Sequence, residues 1–305
     1  LKAGHEGECV LEEVQLADNT ADTEPQAPED DGINTLEELQ AAIATGGEIA
    51  LSGNIEIESA NTSFNITNTV SIDLCGYSIT RSGTSSSELF SVKNGGSLTI
   101  GDSVGTGAIT SSYPVKLWSN STFVLNGGSI TSPKGAALDI FTSASNVTVE
   151  INGGALTANA DNTFGIRGSA NVKVDITGGA ITSSTNRLAV YISGDNDNAI
   201  ELNIRGGTIE NAGQAIQAYS GAVINVSGDA SIHSETRTAI STQSGYGAVV
   251  LNVTGGSITT DGSTGYAIQA REESRVNISG GTVEGGTAVS VSDTATVNVT
   301  NGTLT

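Results

Sequence analysis

The chain has 305 residues, 37% of them hydrophobic but only 4% aromatic, with 39 glycines and 4 prolines. That supply of small β-forming side chains and scarcity of large fillers excludes a thick globular core and favours a thin, extended one. Asp and Glu number 33 against 12 Lys and Arg, and the formal charge of −21 excludes nucleic acid and anionic membrane as partners. No run approaches the roughly 18 apolar residues that cross a bilayer. The chain begins at Leu1 and contains no Met, so a processed, trimmed or excised chain is expected.

Residues 1–32 hold ten acidic residues, one Lys, and Pro25 and Pro28, with little apolar periodicity after Leu16. This stretch reads as an acidic, solvated N-terminal linker. From Asn34 the pattern changes. Leu36, Leu39 and Ile43 recur at helical spacing, Asn34 or Thr35 can cap the start, and Gly46-Gly47 stops the run. A short amphipathic helix, within a capping segment at 33–47, is expected just before the first strand.

From Glu48 the sequence is strand-like and repeats. A Gly-Gly pair, then a small residue and an aliphatic one, recurs at Gly127-Gly128-Ser-Ile130, Gly153-Gly154-Ala-Leu156, Gly178-Gly179-Ala-Ile181, Gly206-Gly207-Thr-Ile209, Gly255-Gly256-Ser-Ile258 and Gly280-Gly281-Thr-Val283. Gly228-Asp229-Ala-Ser-Ile232 and Asn301-Gly302-Thr-Leu304 are degenerate copies, and the aliphatic anchors from Ile130 to Leu304 lie 21 to 28 residues apart. Before each Gly pair runs an alternating strand, such as Val147, Val149, Ile151 or Val172, Val174, Ile176. A further one precedes it, such as Leu138 and Ile140 or Val190 and Ile192.

Three short strands per coil, on a frame of constant period with loops of changing length, predict an all-β fold: a single-stranded right-handed parallel β-helix of about ten coils over 48–305, with an N-terminal capping α-helix. Each coil buries its inward face only by stacking on the next, and the second Gly of each pair is expected at positive φ. A solenoid must cover its end strands. The helix does so at one end; the other stops just after Leu304, so continuation of the natural protein or a covering partner is expected there.

Two cysteines, Cys9 and Cys75, allow one intrachain disulfide or a buried free thiol at Cys75. Neither has the spacing of a zinc or redox site.

Leu36-Glu-Glu-Leu-Gln-Ala-Ala-Ile43 with Gly47-Glu-Ile-Ala-Leu51 resembles the capping helix and first strand of pectin-lyase-like β-helix proteins. Ile72-Asp-Leu-Cys-Gly-Tyr-Ser-Ile-Thr80 and the segment from Gly95 to Thr110 are similar to the opening coils of large secreted or wall-attached β-helix proteins of Gram-positive gut bacteria. The resemblance covers residues 34–305. It implies an extracellular or cell-surface location and, through His5-Glu-Gly-Glu-Cys9, a Cys9–Cys75 bridge. It implies no single activity, because the same coil hosts lyases, hydrolases, adhesins and inert stalks.

The hydrolase-type signatures of that family are absent from the coils, and Asp30-Asp31 falls in the linker. A column of outward residues three before each Gly pair collects Glu150, Asp175, Asn203, Asn225, Asn252 and Asn277, with Asn298 in the last copy. Glu150 and Asp175, with Glu201 nearby and Lys173 beside them, are the candidate Ca²⁺ or sugar site; the competing reading is a solvated face of stacked amides. No other cofactor is expected. Asp195-Asn-Asp197-Asn198 has the composition of part of a calcium loop, but without its Gly and distal Glu it reads as an Asx-rich turn. His233 is expected to face water. No Ser or Thr has a triad set.

Exposed rings stack on sugars, so Trp118, Phe141, Tyr191 and Tyr219 are the candidate ligand-binding residues, for a polysaccharide or host glycan; the competing reading is rings that merely shield the coil corner. Three functions follow from different classes. The first is a non-catalytic cell-surface or secreted β-helix with a structural, adhesive or ligand-display role. The second is a carbohydrate-binding module, and the third a polysaccharide lyase or glycoside hydrolase, for which Arg167 and Lys173 are the central candidate bases.

Overall fold

A computed structural model describes residues 32–83, 86–160, 162–183, 188–195, 199–243 and 248–305. The acidic linker, including Cys9, lies outside them. Thr35 caps the one helix, Leu36–Thr45, through a capping box. Its Oγ1 accepts from the Glu38 amide at 3.3 Å, while Glu38 Oε2 accepts from the amides of Asn34 and Thr35, both at 3.1 Å. Two of these bonds end on the carboxylate, and together with Thr35 they hold Glu38 below the ordinary carboxylate range. Leu39 and Ile43 are buried on the hydrophobic core of the coils. Asn68 Nδ2 reaches back to the carbonyls of Ile43 and Ala44 at 3.2 and 3.3 Å and occupies the orphan acceptors at the helix end.

The remainder is a parallel β-solenoid of three ladders. The first ladder runs from Gly47–Ala50 through Ser121–Leu125, Ser145–Ile151, Ala170–Ile176 and Ile200–Ile204 to the start of Thr296–Leu304. After each Gly corner comes the second ladder, which includes Ser129–Ser132, Ala155–Ala158 and Ser231–Ser234. The third holds ten strands, from Phe64–Ile66 through Val115–Leu117, Leu138–Ile140, Phe164–Gly168, Leu188–Gly194 and Gln214–Ala218 to Thr287–Val291.

Alternation sets the register. Leu125, Ile151, Ile176 and Ile204 pair in succession on the first ladder, Ile130, Leu156, Ile181 and Ile209 on the second, and Leu117, Ile140, Ile166 and Ile192 in successive third-ladder strands. All of these are 0–1% exposed and form one continuous core. Each such side chain contributes about 1.5–3 kcal/mol by leaving water.

The corners follow the glycines. The second member of each pair has φ between 71° and 79°, as at Gly128, Gly154, Gly179, Gly207, Gly256 and Gly281. The corner from third to first ladder uses another residue type. Asn94, Asn120, Asn146 and Asn171 stand there with φ of 55° to 57°, an arrangement Asn adopts at small cost. Nδ2 of Asn146 donates to Asn120 Oδ1, and Nδ2 of Asn171 to Asn146 Oδ1, both at 3.0 Å. In the last described coil Val291, Val299 and Leu304 are 49%, 46% and 39% exposed. No helix among the described residues is long and apolar enough to cross a membrane.

Candidate functional site

The third ladder carries all four candidate rings. Four of its strands bury two core side chains and leave the position between on the outward side of the alternation: Lys116 between Val115 and Leu117, Asp139 between Leu138 and Ile140, Gly165 between Phe164 and Ile166, and Tyr191 between Val190 and Ile192, with Gly165 itself buried. Register places these four in a single column on successive coils. Trp118 and Phe141 follow Leu117 and Ile140 directly, and their rings meet at 4.3 Å between centroids with 31° between planes. One face of that pair is covered by Lys116, whose Nζ lies 5.3 Å from the Trp118 ring and 5.4 Å from the Phe141 ring. Tyr191 and Tyr219 form a second pair at 5.8 Å and 51°, and the Arg167 guanidinium lies 5.4 Å from the Tyr191 centroid. Nε1 of Trp118 is buried with no hydrogen-bond partner among the described residues, and the ring is held there by its packing on Phe141.

Between these pairs lies an ion cluster. Arg167 Nη1 donates to Asp139 Oδ1 at 2.7 Å, and Lys116 Nζ is 3.8 Å from Asp139 Oδ2. Asp139 is 18% exposed and its two partners 28% each, enough burial to strengthen the pairing over that of a fully solvated one. The cluster lines a groove of about 250 Å³ together with Glu88, Tyr113 and Asn162. Gly165 is the gap in the column, since a Cβ built there would stand 2.3 Å from Asp139 Oδ1. The missing side chain is what lets Asp139 lean across to Arg167.

One groove wall is set from inside the solenoid. Arg81 is 3% exposed and donates to the carbonyls of Thr62 at 2.6 Å, Ser87 at 2.5 Å and Glu88 at 3.2 Å. Burial lowers its pKa from the usual arginine value, partly offset by the Glu88 charge. The guanidinium thereby anchors the segment that carries Glu88 to the groove.

The first-ladder column is in register from Glu150 through Asp175, Asn203, Asn225, Asn252 and Asn277 to Asn298. It is mostly an amide ladder. Asn225, Asn252 and Asn277 each donate Nδ2 to Oδ1 of the Asn one coil back, at 2.8, 2.9 and 2.9 Å. At its acidic end Asp175 is held by Lys173 Nζ at 3.0 Å, Arg205 Nη1 at 2.7 Å and Asn203 Nδ2 at 3.0 Å. Burial pushes the Asp175 carboxyl up, but those three donors outweigh it and hold the group below the ordinary carboxylate range. Glu201 accepts from Asn203 at 2.9 Å and faces Lys173 in the ladder. Protein cations and amides thus surround Asp175, and no group of three or more metal-ligating side chains occurs among the described residues.

His233 stands on the outward side of its strand, as expected, but is partly covered there. Its side chain is 21% exposed, Nδ1 lies 2.9 Å from Thr259 Oγ1 and Nε2 lies 3.5 Å from Asp261 Oδ2. Ladder register, which stacks His233 on Thr259, accounts for this partial cover. Of the Asx-rich turn only Asp195 is described, with residues 196–198 outside the described set. No cysteine among the described residues is free; Cys75 is disulfide-bonded, and its candidate partner Cys9 lies outside them.

The sequence reading singled out the four rings and Arg167 but not Lys116, Asp139, Glu88 or Asn162 in the groove. The alternation that turns Tyr191 outward applies equally to Lys116 and Asp139, and was the available signal. Comparisons with protein-family models, with curated proteins and with solved structures found no match.

Proposed function

We propose that this chain is a non-catalytic, extracellular or cell-surface β-solenoid that displays a carbohydrate-binding face on its third ladder. The observation that carries this reading is the groove itself. Two aromatic pairs stand next to a lined depression that offers fixed donors on Lys116 and Arg167 and fixed acceptors on Asp139 and Glu88. Apolar ring edges beside convergent polar groups are the general chemistry of a small-molecule or sugar site. The amide ladders support a rigid display role, because they tie successive coils together outside the core. The pectin-lyase-like resemblance belongs to the same proposal and rests on the capping-helix and opening-coil motifs.

The lyase reading has less support. It requires a cation free to act as base, whereas Arg167 is bound to Asp139 and Lys173 to Asp175. A glycan array tests the proposal. Wild-type protein should bind at least one oligosaccharide class, and the double variant Trp118→Ala, Tyr191→Ala should lose at least about tenfold in affinity while keeping its circular dichroism spectrum. Unchanged binding by the double variant would remove the face from consideration. Release of unsaturated products from acidic polysaccharides would overturn the non-catalytic role.

A further inference from the structure

The ion cluster in the groove constrains which sugars fit. Glu88 and Asp139 supply two negative charges and Lys116 and Arg167 two positive ones, so the lining is balanced within itself. Asp139 sits between the two cations and engages both. An acidic ligand could reach the spare donors of Lys116 and Arg167, but Asp139 already offsets their charge, so the ligand's carboxylate would find no uncompensated cation in the groove. It would also meet Glu88 and the repulsive field of a chain carrying −21 overall. A cationic ligand would pull Asp139 away from Arg167 and face two displaced cations. An uncharged polyol meets neither obstacle. The guanidinium uses one nitrogen on Asp139 and retains other N–H donors, and the ammonium at 3.8 Å has donors left for hydroxyls.

Resting on the carbohydrate-binding reading, we propose that the third-ladder groove selects neutral oligosaccharides and rejects uronate-bearing ones, with Asp139 as the residue that sets this choice. The ligand lies along the solenoid axis, because the lining residues come from successive coils at about 4.8 Å spacing. Asp139 acts on charge selection by occupying the cations, and Gly165 permits it by leaving its space empty.

The test uses the whole chain in titration calorimetry against neutral hexasaccharides (gluco-, manno-, galacto- and xylo-configured) and acidic ones (oligogalacturonate, oligoguluronate and glucuronoxylan fragments). Wild type should bind one or more neutral members at least about tenfold more tightly than any acidic one, with little change between low and high salt. Asp139→Asn should shift the neutral-to-acidic ratio toward the acidic set by about tenfold, because it frees Lys116 and Arg167. Should that variant misfold, Lys116→Gln gives the complementary measurement: it should weaken the neutral ligand without creating acidic binding. Acidic preference in the wild type, or an Asp139→Asn ratio equal to that of wild type, would overturn the selectivity and leave carbohydrate binding standing. Absence of binding to every member would overturn carbohydrate binding itself.

Discussion

Asn225 and Asn252 occupy the same register position on successive coils, and Nδ2 of Asn252 donates to Oδ1 of Asn225 at 2.9 Å. Asn277 then donates to Asn252 in the same way, so each interior amide of the column both gives and accepts one bond along the axis. Asn252→Ala should break two of these links at once. Since the column is only partly buried, the expected loss is about 1–2 kcal/mol. Denaturant unfolding read locally by hydrogen exchange should place that loss in coils around 225–277; a uniform shift over the whole chain would show that the ladder is not a local tie.

The two kinds of positive-φ glycine should respond differently to alanine. At Gly207, φ is 75° and an added Cβ would lie 2.6 Å from the Gly178 carbonyl oxygen, with the backbone of Gly179 at 2.7 Å. Neither neighbour can move without disturbing its own corner. At Gly95, φ is 89° but the space is open, with nothing within 4 Å. Gly95→Ala should therefore cost only the backbone term of about 1–2 kcal/mol, whereas Gly207→Ala should cost more than about 3 kcal/mol or prevent folding. Comparable melting temperatures for the two variants would contradict the close-approach argument.

Arg81 joins fold to site. Arg81→Met keeps much of the volume but leaves three carbonyls, of Thr62, Ser87 and Glu88, without their donor. A loss of about 1–3 kcal/mol is expected from removing the donor to these partly buried carbonyls, accompanied by weaker ligand binding as the Glu88 segment loses its anchor. Retained affinity in a destabilised Arg81→Met would show that the groove does not depend on this wall.

Much of this architecture can be read from the chain because one rule repeats. Every coil needs an inward aliphatic triplet and a corner glycine, so Ile130, Leu156 and Ile181 with Gly128, Gly154 and Gly179 announce the period. The outward columns follow from the same alternation, which is why Glu150 and Asp175 could be paired from sequence alone. Arg81 could not be identified that way. It occupies an inward position of the second ladder where later coils carry Ser132, Ala158 and Ser183, and its acceptors lie on connections whose conformations no period specifies. The Asp139–Arg167 pair is hidden for a related reason: the residues are one coil and two strand positions apart, and their contact depends on the vacancy at Gly165. The helix start was narrowed rather than missed, because the sequence allows either Asn34 or Thr35 as cap and the Glu38 capping box selects Thr35.

Asp175 gives the pH dependence. Its folded pKa is depressed below the ordinary Asp value of 3.8, first against the upward push of burial and then by Lys173, Arg205 and Asn203. A depressed carboxyl stabilises the fold fully above its unfolded pKa, and that contribution disappears as pH falls through the lower, folded value. Lys173 and Arg205 are each 51% exposed, so solvent screening limits the contribution to about 1 kcal/mol or less. Asp175→Asn should accordingly melt below wild type at neutral pH, and the gap should begin to close below about pH 4 and vanish at still lower pH. Thermal unfolding of both proteins across that range checks the sign. A gap that stays constant from neutral to acid would mean that Asp175 acts through shape and neutral hydrogen bonding, and that its ion pairs with Lys173 and Arg205 add nothing to the stacking of these coils.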